Sequence, residues 1–215
     1  MLIGRRLLLG AAMGCVTAAP GMSGVPADDR ISFRVMRNGS DIGFHTLRFT
    51  PQPNGLNIRI TVRIAVSLGP ITLFRYQLDG VEQWHDGRVV RLTASTDDDG
   101  THETMQATRG AQGLWVTGNK IARYLAPPDA LPATHWNEAE LDAPWINPQD
   151  GRLLHPTVTP LGPGPVEIAP GRNATEQRFD ISGDVHMQIC YTQAHRWAGL
   201  TFNARDGSLV RYEPA

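Results

Sequence analysis

Cysteine and lysine are scarce in this 215-residue chain: Cys15, Cys190 and Lys120 are all it has of either. Two thiols cannot build a disulfide framework, so stability must come from apolar burial and backbone hydrogen bonds. No apolar run reaches the roughly 20 residues that a membrane-spanning helix needs. A charge excess is also missing. The formal net charge is −1, so nothing in the composition suggests the concentrated basic surface that nucleic acid or an anionic membrane calls for.

Catalytic signatures are absent too. No nucleophile elbow, phosphate-binding glycine loop or dinucleotide fingerprint occurs. His102-Glu103 opens like a zinc-protease motif, but Gln106 stands where the second histidine belongs, and the segment reads as strand. His186 and Cys190 share a strand face about 13 Å apart, too far to ligate one zinc. Asp97-Asp98-Asp99-Gly100 lacks carboxylates at both ends of a calcium loop and reads as a hairpin turn. These exclusions leave no catalytic residue, no metal site and no cofactor, and favour a non-enzymatic protein.

What is present begins with a leader. Arg5-Arg6 precede an apolar stretch from Leu7 to about Ala19, and Val25-Pro26-Ala27 places small residues at −3 and −1 of a processing site. Residues 1–27 are thus expected to be a signal peptide, with 28–215 as one domain in the periplasm or outside the cell. The arginine pair resembles a twin-arginine export signal, with the general secretory route as the alternative. A lipid anchor at Cys15 is a further alternative. Once the leader is removed Cys190 stands alone, in an apolar-leaning run where a buried, inert thiol is the default.

The mature part alternates with period two. Leu56, Ile58, Ile60, Val62, Ile64 and Val66 share one face of a strand, with Asn57, Arg59, Thr61, Arg63 and Ala65 on the other. Phe74, Tyr76 and Leu78 continue the pattern against Arg75, Gln77 and Asp79. Asn38-Gly39, Asn54-Gly55, Asp86-Gly87, Asp99-Gly100 and Asp206-Gly207 supply the positive φ of hairpin turns. The prediction is an all-β, mainly antiparallel meander that curls into a barrel or half-barrel, because a flat sheet would leave an apolar face bare.

One stretch departs from this pattern. Residues 126–171 are rich in proline and glycine, and Thr134-His135-Trp136-Asn137-Glu138-Ala139-Glu140-Leu141 suggests a short helix capped by Thr134. The stretch is expected to be an insertion crossing the sheet, either a lid over a hollow or a plug within it. In the lid reading, His135 and Asn137 form a polar rim, and Trp136 packs on the sheet with Tyr76 or Trp84 nearby. Those five residues are the candidate ligand-binding set. The wider aromatic set, which adds Trp115, Trp145 and Trp197, either lines a cavity or packs the core.

Arg37-Asn38-Gly39, Ile42-Gly43-Phe44-His45, Trp84-His85-Asp86-Gly87-Arg88, Thr96-Asp97-Asp98-Asp99-Gly100, Trp136-Asn137 and a closing Trp197 hairpin occur in that order. In this the chain resembles an uncharacterised family of exported proteobacterial proteins known only as a domain of unknown function. The resemblance implies no activity and no site residue. The plan is distantly similar to periplasmic lipoprotein carriers, in which a curved sheet holds a helical lid over an apolar hollow. Two functions follow as expectations: binding of a lipid or other amphiphilic small molecule, or a structural, accessory role for a barrel filled by its own side chains.

Overall fold

The computed structural model describes residues 24–169 and 171–215. The leader segment up to residue 23, with Arg5, Arg6 and Cys15, lies outside the described residues. From there the alternation becomes strands. β1 (Arg30–Arg37), β2 (Ser40–Gln52), β3 (Gly55–Leu68), β4 (Ile71–His85), β5 (Arg88–Asp98), β6 (Thr101–Gly110), β7 (Gly113–Gly118) and the short β8 (Tyr124–Leu125) pair in sequence. Next come β9 (Leu131–Pro132), β10 (Trp145–Ile146) and β11 (Leu153–Leu154), which form a small sheet of their own. The second run is β12 (Thr157–Ala169), β13 (Arg172–Ser182), β14 (Met187–Tyr191), β15 (Trp197–Asn203) and β16 (Leu209–Pro214).

The two runs join where β16 pairs with β1, Phe33 opposite Pro214 and Arg37 opposite Val210. All neighbours in the resulting 13-stranded sheet are antiparallel, and its outer strands, β12 and β8, do not meet. The fold is therefore a half-barrel rather than a closed barrel. Three of the five Asn-Gly and Asp-Gly signals take positive φ at both residues: Asn38 (47°) with Gly39 (82°), Asp86 (48°) with Gly87 (72°) and Asp99 (51°) with Gly100 (88°); in the other two only Asn54 (59°) and Gly207 (80°) do. That geometry matches the right-handed twist of the strands they connect.

Alternation also sorts the faces. Leu56, Ile58, Ile60 and Val62 of β3 are buried, whereas Arg59 is exposed and Thr61 and Arg63 are half-exposed. Ile60→Ala is accordingly expected to lose about 2–5 kcal/mol by leaving a cavity. Thr61→Ala should lose under about 1 kcal/mol. Denaturant melts yielding equal, small losses would show that the two faces are not distinguished.

The proline-rich stretch differs from its expected form. Its second half is not insertion: Thr157–Ala169 is the outer strand β12, paired with β13. Prolines lack the N–H that a central strand must donate, so an edge is where they are tolerated. Pro160, Pro163 and Pro165 lie opposite Phe179, Gln177 and Thr175, and a register shift between Pro160 and Gly162 keeps all three in one phase. Their phase blunts the free edge against pairing with another strand. The helix is also shorter than expected. It is a 3-10 turn, Glu138–Asp142, and its cap is Asn137, which accepts from Ala139 N at 3.2 Å. Thr134 lies upstream of the turn, its hydroxyl held elsewhere.

Candidate functional site

The residues between β8 and β12 pack into the concave face as a plug. Trp136, Trp145 and Ile146 are at most 1% exposed. Trp136 meets Trp84 and Phe49 edge-on, with ring centroids at 5.3 and 5.6 Å. Gly24 is pressed so closely against the backbone of Trp136 that a Cβ there would lie 2.5 Å from its carbonyl oxygen. The hollow beneath a lid, which the carrier likeness implied, is filled.

A buried carboxylate holds this plug to the sheet. Glu82 of β4 is fully buried. Its Oε2 accepts from the indole N–H groups of Trp84 (2.7 Å) and Trp136 (3.1 Å), and its Oε1 from the Thr134 hydroxyl (2.5 Å). Burial pushes the carboxyl above its usual range, and the three donors act in the opposite direction. A second buried acid, Glu140, organises the plug itself. It accepts from the backbone N–H of His135 at 2.9 Å, its Oε1 lies 2.5 Å from His135 Nδ1, and Tyr191 of β14 donates to it at 3.5 Å. These contacts sustain His135 at φ 68°, a left-handed conformation costly for a residue with a Cβ. The Trp145 indole donates to the Glu140 carbonyl at 2.7 Å.

Beside them lies an aromatic layer. Trp197 packs on Phe33 (4.4 Å between centroids), His45 (5.2 Å) and His135 (5.3 Å). His45 is buried with Nε2 unpartnered, and burial first, then nearby His135, lowers its pKa to about 3. The ring is therefore neutral at physiological pH and packs as an aromatic. Cys190 is buried, its thiol pushed up to about 12 chiefly by burial. The reading of an inert core thiol is consistent with that setting.

The five candidate residues thus separate. Trp84, Trp136 and, through Thr134, the start of the plug converge on Glu82, while His135 belongs to Glu140 and Asn137 caps the 3-10 turn. Tyr76, eight residues from Trp84 along β4, donates instead to Gln149 at 3.4 Å. None of the five lines either of the two depressions described below. The missed residue is Glu82, and the signal was available: continuing the Phe74, Tyr76, Leu78 alternation puts Glu82 on the buried face. Glu140 could not be found that way, because no period governs a 3-10 turn. Although Glu82, Glu140 and His135 have the chemistry for proton transfer, both carboxylates are at most 1% exposed and engaged by plug and sheet donors.

Among the described residues, depressions open to solvent include the following two. A cleft of about 720 Å³ runs between the 3-10 turn and the β12–β13 hairpin, lined by Leu141, Pro144, Val158 and Phe179 together with Asp142 and His155. At its rim Glu138 Oε2 lies 2.5 Å from His195 Nδ1. The other, about 420 Å³, is on the outer face of β1–β3. Among the described residues no helix is long and apolar enough to cross a membrane.

Comparison with known proteins adds one relation. The family described as Domain of unknown function (DUF6134) matches residues 33–215. No curated protein and no solved structure matches the chain.

Proposed function

The chain belongs to the DUF6134 family of domains of unknown function, and we propose that it is an exported envelope protein that acts by binding an amphiphile, not by catalysis. The observation that carries this reading is the cleft beside the plug. Its volume falls within the range typical of small-molecule sites. Apolar side chains in a cleft that also carries a polar pair suit an acyl tail with a polar head, the head meeting Glu138 and His195. In this reading the plug is the wall of the site rather than its lid.

Export rests on Arg5-Arg6 and the apolar stretch after them. Gly24 and Pro26 are buried against the domain, which favours processing ahead of Gly24 over processing after Ala27. Gly21-Met22-Ser23 offers small residues at the same two positions.

A fluorescent fatty acid added to the purified mature protein should bind. Val158→Glu and Phe179→Glu, which each put a charge in place of an apolar lining side chain, should weaken binding about tenfold or more. Circular dichroism identifies a variant that has merely unfolded. Absence of wild-type binding, or equal binding by folded variants, would overturn the proposal. That outcome would support the second reading, a structural accessory protein, which draws on the self-filled concave face.

A further inference from the structure

Antiparallel pairing sets residues of adjacent strands side by side, and on the outer face of β1, β2 and β3 it aligns arginines. Arg30 is opposite Arg48, and Arg48 is opposite Arg59. The next row on the same face is Ser32, Thr46 and Thr61, with Ser32 and Thr46 hydroxyls 3.1 Å apart. The row after that begins with Arg34 and Phe44. Together they line the depression of about 420 Å³.

Like charges directly opposite one another destabilise a sheet, and opposite charges in those places would stabilise it. Arg34 is engaged by buried Glu213 at 3.2 Å, but Arg48 and Arg59 have no carboxylate partner among the described residues, and Arg30 reaches only the Ser32 hydroxyl. With Arg34 set aside, three guanidiniums, Arg30, Arg48 and Arg59, line the depression with no carboxylate at ion-pair distance among the described residues. Neighbouring strands are about 4.8 Å apart, so the three-arginine row spans roughly 10 Å. Guanidinium forks at that spacing suit tetrahedral oxyanions, and hydroxyls between them can donate to the remaining oxygens.

We propose that this cradle is a binding site for phosphoryl groups of a multiply charged anion, a diphosphate or phosphomonoester, either free or borne on a lipid headgroup. It lies on the sheet face opposite the plug and does not depend on the amphiphile cleft. The near-neutral net charge hides it, because it exists only once three strands are in register.

Two probes distinguish the sources. Calorimetry with inorganic pyrophosphate at low ionic strength tests the free anion. Sedimentation with phosphatidylcholine vesicles containing phosphatidic acid tests the headgroup, with pure phosphatidylcholine as the blank. The wild type should bind at least one probe and release it as salt rises. Arg48→Gln with Arg59→Gln should weaken that binding at least about tenfold, while Arg123→Gln, beside β8 and five strands along the sheet from β3, should leave it unchanged. Both arginines are exposed, so the double variant is expected to fold, and a melt verifies this. Failure of both probes, or equal binding by the folded double variant, would overturn the site.

Discussion

Glu82→Leu is expected to lower stability by about 3–5 kcal/mol in a urea melt, despite replacing a costly buried acid with an apolar side chain. Leucine fits a β-strand and carries no desolvation penalty. It would nevertheless strand the Trp84 and Trp136 indole N–H groups and the Thr134 hydroxyl, three donors with no water to turn to. Glu82→Gln is the informative control. Its carbonyl can accept from both indoles while its amide donates to the threonine oxygen, so most of the stability should remain. A leucine variant losing less than about 1 kcal/mol would show that the carboxylate is not what holds the plug.

The same pair predicts a pH dependence. Burial raises the folded-state pKa of Glu82 above its usual 4.5, so the folded protein keeps this proton over a range where the unfolded chain has lost it. Stability from this group is then greatest below that usual value and declines as pH rises towards the folded-state pKa. Relative to the wild type, Glu82→Gln should therefore gain stability across that interval. A difference between the two that is flat with pH would refute the assignment.

Trp136→Ala should cost about 3–5 kcal/mol, the range for a buried aromatic truncated to a methyl. The indole is fully buried, touches Phe49 and Trp84, and donates to Glu82. A mobile lid would behave differently: its tryptophan would fluoresce as a partly hydrated indole, and truncation would alter ligand uptake with little effect on stability. Trp136→Phe separates packing from polarity, because it fills most of the volume but leaves Glu82 one donor short. Its loss should be about 1–3 kcal/mol. Wild-type-like melting of Trp136→Ala would remove the plug from the account of stability.

Legibility followed the reach of local rules. The β3 alternation and the Asn-Gly and Asp-Gly turns are properties of neighbouring residues, and both reappear in the structure, the alternation with the anticipated faces and three of the five turns with positive φ at both residues. β12 was misread because Pro160, Pro163 and Pro165 argue against a strand unless it lies at an edge, and edge position is a property of the whole sheet. The candidate site was partly visible for the same reason. Trp136 and Trp84 do converge, but the atom that joins them belongs to Glu82, whose inward position needed the alternation of β4 carried past Gly80. The arginine row required knowing which residues stand opposite one another across three strands.

The β1–β16 seam has a consequence for how the molecule assembles. Arg34 and Glu213, bridged across it, are 179 positions apart in the chain. Closing so long a loop is entropically expensive, and topologies dominated by such distant pairings fold slowly. β1 can pair early with β2, but its other edge stays open until the last strand exists. A nascent or truncated chain ending before Leu209 therefore presents an unpaired β1 edge, available to any other unfinished strand. For this fold, completion of the C-terminal hairpin is the step that ends the exposure to misassembly.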